Sequence, residues 1–533
     1  MTITPQGQLY LCKTPLENDY KNQLTFANAN AQLTYFNSVI QKTFDNYTYI
    51  KKDNSVKLGV NIDEIIDCNY LFYKNTGFTT KYYFCFITNM EYVNENCTLV
   101  TFETDCFQTW QFQIQYKSSF VEREHVNDDT VGLHTVPENL ETGEYICNSH
   151  YKDTTMDSYT SDLCFVMAST SEPITGEAKD TVAPSAIYNG VYTGLTYYRY
   201  DATTAIDIIL EIFANNGKTD AINGVFMAPK WLAPLDNNST YREVEQSNSP
   251  LTFNINVSKQ TTLNGYTPVN NKLKCFPYNY LLVSNNIGQN AILHYEKFSD
   301  NTNATFTVKG VLNPGCSVNI TPTNYNGNTS SDNDAITLGK FPICNFQNDM
   351  YTNWLTQNSI NVLGQTITSD DMNIAGNVLG AVSGVATNIG SGNLAGAGMS
   401  VASGFAGIAG AVMQQKQHNM IAPTVNGQLN SADVNVASGN NTFHFYKMSV
   451  KAEFARIIDN YFSMFGYKIN RVKVPNITGR TNWNYVKTIN CNFDGDIPQT
   501  DLNIIKAMFN NGTTLWHNPT TIYNYGNTNN IVV

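Results

Sequence analysis

Charge is scarce in this sequence. Asp, Glu, Lys and Arg make up 14% of its 533 residues, and acidic residues outnumber basic ones 44 to 32, for a formal net charge of −12 at pH 7. A protein that grips nucleic acid needs a cationic surface, so that class is excluded; an acidic wall would instead let DNA slide past without sticking. Cysteine supplies no framework either. The count of 11 is odd and there is no CxxC pair, which argues against a zinc site and a disulfide scaffold alike. Free thiols fit assembly in a reducing cytoplasm. Met1-Thr2-Ile3-Thr4-Pro5 has no basic region and no apolar core, so no signal peptide is expected.

Candidate chemistry is equally sparse. Glu122, Arg123, Glu124 and His125 place two carboxylates beside a histidine, the groups general acid–base catalysis uses. On a strand, alternation sets Glu122 and Glu124 on the side opposite Arg123, and a salt-bridged strand end or subunit contact is the better reading. Gly217-Lys218-Thr219 has the end of a phosphate loop, but Ile212 stands where the first glycine is required, and a helix precedes rather than follows it. Asp332-Asn333-Asp334 lacks the glycine-centred loop of a calcium site. Asp494, Asp496 and Asp501 are accounted for by a turn and a helix cap. No enzyme activity, cofactor or metal is expected.

Aromatic residues are abundant, with 32 Tyr and 28 Phe, which favours β-rich architecture with extensive interfaces. The length allows roughly two to four domains. One stretch departs from this composition: between Asp371 and Lys416 there is not one charged side chain. Gly376, Gly380 and Gly384 recur every fourth residue, as do Gly392, Gly396, Ser400 and Gly404. Ile374, Val378, Val382, Val385 and Ile389 form an apolar stripe at helical spacing, and so do Val401, Phe405, Ile408 and Val412. Leu379, Leu394 and Met399 add to the apolar content. The run divides at Gly390-Ser391-Gly392-Asn393 into arms Met372–Ile389 and Leu394–Met413, each about the ~20 residues that cross a hydrocarbon core. Small residues four apart let helices approach closely in lipid. A flexible linker has no reason for apolar stripes. A buried soluble hairpin is a second alternative. An ordinary anchor is disfavoured because insertion gains of about −0.3 to −0.6 kcal/mol per apolar residue are diluted by Gly, Asn and Ser. The favoured reading is a segment sheltered until needed, which acts on membranes only in numbers.

The rest of the chain gives strand and helix signals in order. Val56, Leu58, Val60 and Ile62 alternate as a strand, with Asp63 expected to cap a short helix through Ile65, Ile66 and Tyr70. Strands at Tyr82–Tyr92 and Thr98–Glu103 flank Asn94-Glu95-Asn96 as a hairpin, and Phe112, Ile114 and Tyr116 alternate. A helix is expected over Ala205–Phe213. Phe454, Ile457, Ile458, Tyr461, Phe462 and Phe465 make an apolar helical face that Gly466 stops. A strand Tyr467–Val474 follows, then a strand with Trp483, Tyr485, Ile489, Cys491 and Phe493 on one face. Last comes a helix through Leu502, Ile505 and Phe509, capped by Thr500 or Asp501 and ended by Gly512.

Several segments carry a family resemblance: Asp19-Tyr20-Lys21-Asn22, Glu103–Trp110, Phe120–Val126, Lys451–Phe454, Phe465–Lys473, Asn484-Tyr485-Val486, Gly495-Asp496-Ile497, Phe509–Gly512 and Leu515-Trp516-His517. In order and at compatible separation, over about residues 19–126 and 443–517, these resemble the tail knob (distal tube) proteins of small Picovirinae-type short-tailed bacteriophages. Residues 150–345 match only weakly. The resemblance implies a mainly β fold with some α, in which tail-tube-like β-barrel domains assemble into a hexameric tube. With the strand and helix signals, the chain is expected to divide into residues 1–149 as an N-terminal β-rich tube domain, 150–345 as an inserted β-rich domain, 346–442 as a long loop region and 443–533 as an α+β segment completing the tube. It further implies partners among the tail and collar proteins of the virion, assembly in the bacterial cytoplasm, and loops that plug the tube and then enter the host cytoplasmic membrane as a pore for phage DNA. The rival from sequence is a receptor-binding or cell-wall adhesin resting on the Tyr- and Asn-rich middle region.

Overall fold

The computed structural model describes residues 7–45, 47, 54–75, 80–153, 163–170, 187–192, 195–201, 212, 213, 215, 221–239, 241–286, 288–313, 316–329, 332–339, 343–345, 442–526 and 530–533. Strands dominate, and the chain divides into two compact units. The first unit combines residues 1–144, 265–275 and 450–533; the second takes 145–264 and 276–449.

Among the described residues, the first unit contains two sheets. Six antiparallel strands lie in the order Ile40–Asp45, Gly7–Cys12, Tyr70–Asn75, Tyr82–Asn94, Cys97–Thr104 and Ser55–Leu58. The long hairpin turns at Glu95-Asn96, where the Asn94 side chain accepts from the Asn96 N–H, the local bond that favours Asn in turns. The expected helix after Asp63 is only a 3-10 turn, Ile62–Glu64, capped by Asn61, whose side chain accepts from the Asp63 N–H. Tyr70 begins a strand because its ring is wanted in an aromatic core with Phe36, Phe72, Phe84, Phe86, Trp483 and Trp516. Helix α1, Ala29–Ser38, delivers Phe36 to that core and is capped by Asn28. Phe112, Ile114 and Tyr116 follow the short helix α2, Cys106–Trp110, and form no strand.

The second sheet ties the chain's two ends together. Asn22–Leu24 runs parallel to Thr513–Trp516, and the sheet continues from there through Trp483–Ile489, Ser119–Glu124 and Tyr467–Lys473, each strand pairing with the next. Helix α3, Ala452–Phe465, ends at Gly466, whose φ of 65° and ψ of −157° lie in a region open to glycine and strained for other residues. Ile457 is 65% exposed, so the buried stripe is narrower than expected and runs through Ala455, Ile458, Asp459 and Phe462. Helix α4, Gln499–Asn511, has Pro498 at its N-cap rather than Thr500 or Asp501. Asp501 instead accepts from the Trp110 indole N–H at 2.8 Å.

Among the described residues, the second unit holds three four-stranded sheets and a two-stranded pair, Ile187–Tyr188 with Val191–Tyr192. The orders of the three larger sheets are Thr196–Tyr200, Leu163–Ser169, Ile222–Pro229, Ile343–Asn345; then Leu251–Ser258, Asn303–Val311, Ser317–Thr323, Ile336–Gly339; then Asn290–Leu293, Asn279–Ser284, His444–Val450, Tyr145–Lys152. One core of buried side chains runs through all three, including Val166, Phe226, Phe306, Val318, Leu281 and Phe445. The helix expected over Ala205–Phe213 and the Gly217-Lys218-Thr219 stretch fall almost wholly outside the described residues, as do 346–441.

Candidate functional site at the ends of the uncharged segment

Ile374, Gly376, Val378 and the other loop residues through Val412 lie outside the described residues. The structure fixes where the chain leaves for that segment and where it returns. It leaves from Ile343–Asn345, the last strand of its sheet, in register with Phe226, Val225 and Gly224. It returns at Thr442, whose hydroxyl donates to the Asp153 carbonyl at 3.0 Å, and the Phe443 carbonyl accepts from the Asp153 N–H at 3.3 Å. Phe443 and Phe445 then enter the core completely buried, with the Phe445 ring 5.1 Å from Phe306 and 5.6 Å from Tyr151. Phe226, beside the departing strand, belongs to the same core. Each fully buried Phe contributes about 2 to 3 kcal/mol. His444, between the two, is buried and shares an N–H···N hydrogen bond of 2.9 Å with His150 on the neighbouring strand. The returning end is therefore fixed in a hydrophobic core that also holds Phe226, the register partner of Ile343.

The Glu122–His125 run is structural. A register shift at Glu122 breaks the alternation of its strand, so Arg123, Glu124 and His125 are all buried while Glu122 reaches outward to Lys487 at 2.9 Å. Glu124 pairs with Lys473 and accepts from the Asn476 N–H at 2.8 Å. Arg123 pairs with Glu138, which also takes the Lys272 ammonium at 2.6 Å and the Lys468 N–H at 2.8 Å. Removing one member of such a buried cluster leaves an uncompensated charge, a loss of about 3 to 5 kcal/mol. His125 accepts from the Tyr485 N–H at its Nδ1, 2.8 Å away, so its Nε2 carries the proton and donates to the Ser463 carbonyl at 3.1 Å. Burial, helped by Arg480, holds this imidazole neutral and pushes its pKa down to about 3. Every polar atom of the ring is committed to backbone, which leaves none for catalysis.

One residue that sequence reasoning passed over organises the first unit. Asp459 is buried on α3 and accepts from the Tyr266 hydroxyl at 2.7 Å, the Val269 N–H at 2.7 Å, the Asn270 N–H at 3.0 Å and the Asn270 side chain at 2.7 Å. It pins residues 265–275 to their unit. The readable signal was a carboxylate on the buried stripe of an amphipathic helix, four residues after Ala455 and three before Phe462. Among the described residues, no group of three or more His, Cys, Asp or Glu is placed to hold a metal ion. Ten of the eleven cysteines form no disulfide; burial pushes the Cys12, Cys106 and Cys164 thiols up to about 12. No helix among the described residues is long and apolar enough to cross a membrane.

Comparison with known proteins defines the class first. Residues 8–116 match the model of the Caudoviral major tail protein N-terminus, so the six-stranded sheet belongs to a phage tail protein. Residues 239–530 match the model described as Bacillus phage phi29, Tail knob protein gp9, C-terminal domain. That is more than half of the chain, and the chain belongs to this tail knob family. It is 28% identical over 580 residues to the tail knob protein gp9 of Bacillus phage PZA, spanning 95% of this chain and 96% of that one. It is 27% identical to the tail knob protein gp9 of Bacillus phage phi29, with the same coverage. The fold also matches the solved tail knob protein gp12 of bacteriophage C1, with a TM-score of 0.65 over 99% of this chain and 100% of that one, at 14% identity.

Proposed function

We propose that this virion tail protein builds the distal tube of a short tail as a ring of six copies, joined to other tail and collar proteins. The uncharged segment 372–415 plugs the lumen before infection and enters the host cytoplasmic membrane on ejection, forming the pore through which the genome leaves. The observation that carries the reading is the contrast between an uncharged, striped segment and the buried, hydrogen-bonded chain at Thr442–Phe445 to which the long region returns. A segment that must be expelled without unravelling its subunit needs that contrast. Six copies shelter their apolar stripes against one another, burying area worth roughly 25 cal/mol per Å². When that shelter is lost, lipid is the next apolar phase, and the Gly390–Asn393 turn leads without carrying charge. The acidic balance keeps the lumen from holding passing DNA.

Dye leakage from liposomes tests this. A peptide of residues 372–415 should cause leakage, the intact assembly little, and an assembly lacking the stretch none. Val382→Lys or Phe405→Lys should leave tubes assembled and abolish leakage, because a charge at the centre of a membrane helix costs about 2.5 to 3.5 kcal/mol. An inert peptide would assign the stretch to plugging or packing alone.

A further inference from the structure

The outer face of one sheet in the second unit has no part in the reading above. Its four strands are Asn290–Leu293, Asn279–Ser284, His444–Val450 and Tyr145–Lys152. The inward side chains, Leu281, Val283, Leu293 and Phe445, fill the core. The outward ones form cross-strand rows. Ile292, Leu282 and Tyr446 are register partners, and the His150 ring stacks on Tyr446 with centroids 4.7 Å apart. One row along, Tyr280 is the partner of Met448. Tyr145 meets the Tyr280 ring at 5.4 Å, Phe276 meets it at 5.9 Å, and Phe276 stacks on His294 at 4.1 Å. On the other side, Ser284 joins Asn290 and His444. Tyr145 is 37% exposed, Phe276 38% and Ile292 50%, so rings and aliphatic groups lie open to solvent.

Two properties of this face select its occupant. In a chain of net charge −12, the outward positions of this face carry one charged side chain, Lys152, two residues beyond His150 on the same strand. The nearby Glu296 is turned inward, accepting from the Phe276 N–H at 3.2 Å. Apart from Lys152 at one edge, the face is uncharged and complements a neutral partner. Its size is the second property. Four strands by three rows cover about 14 Å by 14 Å, roughly 200 Å², at ordinary sheet spacings, whereas a stable protein interface buries about 800 Å² per partner. Flat aromatic faces bordered by hydroxyl, amide and imidazole groups match a pyranose ring, apolar on its C–H face and hydrogen-bonding at its edge.

We propose that this face binds a neutral glycan, with Tyr145, Tyr280, Phe276 and Tyr446 supplying stacking surfaces and His150, Asn290 and His294 the polar edge. This goes beyond the tube and pore reading and is independent of it. The test is a titration of the full-length protein with a tetrasaccharide of β-1,4-linked N-acetylglucosamine and with cellotetraose, followed by calorimetry and saturation-transfer NMR. At least one should bind, and the NMR contact should map to the named aromatic residues. Tyr145→Ala and Ile292→Lys should each weaken binding about tenfold. Ile66→Lys, at an exposed apolar position of the first unit, should not. Liposome leakage should be the same in all of them. Absence of binding by both sugars, or binding unchanged in Tyr145→Ala and Ile292→Lys, overturns the proposal. So does a smaller assembly in those two variants by sedimentation, since that would give the face to a second copy of the chain.

Discussion

At the scale of single residues, stability in the first unit rests on polar groups that have left water and found several partners each. Asp459 is the clearest case, with four hydrogen bonds converging on one carboxylate. Hydrogen bonds to a charged group are worth about 1.5 to 3 kcal/mol each, and donors left unpaired in the interior cost more. Asp459→Ala should therefore lower the unfolding free energy by about 3 kcal/mol or more in urea titrations, and Asp459→Asn by less. Acid sensitivity follows from two buried histidines. His125 is pushed down to about 3 and His517 to about 4, each from 6.5, chiefly by burial. The unfolded chain takes up these protons first, so their stabilisation is complete above pH 6.5 and is lost as pH falls through the window below it. At about pH 5 each costs about 2 kcal/mol. Asp105 acts in the opposite sense. Burial pushes it up from 3.8 to about 7, despite hydrogen bonds from the Gln108 N–H and the Tyr70 hydroxyl. Its contribution is complete below pH 3.8 and is lost as pH rises to 7. Asp105→Asn removes that opposing effect, so its loss of stability between about pH 7 and 5 should exceed that of the parent by about 2 to 3 kcal/mol.

At the scale of elements, the helices and hairpins were the legible part, because their signals are local. The Tyr82–Asn94 and Cys97–Thr104 hairpin, the α3 stop at Gly466 and the α4 stop at Gly512 all follow from alternation, helical stripes and glycine. Gly466 also shows what locality leaves out. A Cβ there would sit 2.1 Å from the Glu124 carbonyl oxygen, a neighbour more than three hundred positions away in sequence. Gly466→Ala should cost about 3 kcal/mol or more in thermal melts, the sum of a left-handed φ and a backbone clash. Gly288→Ala should cost only about 1 kcal/mol, since its φ of 106° is unusual but its surroundings are open. The register shift at Glu122 was not legible. It is set by pairing with Tyr467–Lys473 and Trp483–Ile489, and it turns a strand read as alternating into three consecutive buried residues.

At the scale of the whole molecule, the sequence order and the spatial order diverge. Residues 22–24 and 119–124 share one sheet with strands from 467–516, and residues 265–275 join the same unit through Asp459. The second unit accordingly both releases and receives the long segment. Since Phe443, Phe445 and the Ile343–Asn345 strand lie outside 372–415, removing that stretch should leave the unfolding transition within about 0.5 kcal/mol of the parent, as for changes away from packed features. Phe443→Ala, by contrast, should cost about 3 to 5 kcal/mol through the cavity it opens, measured by denaturant unfolding.

What the sequence determined by itself was the mainly β class, the aromatic cores, the helix stops, the acidic net charge and the uncharged stretch. Each depends on composition or on spacing within a few residues. Tertiary structure alone decided which distant strands pair, why Glu122–His125 is a buried brace, how Asp459 holds residues 265–275, and that the chain re-enters the core of the second unit at Phe443 and Phe445. Those outcomes depend on contacts between positions hundreds of residues apart, where burial and desolvation, not local propensity, set the energy.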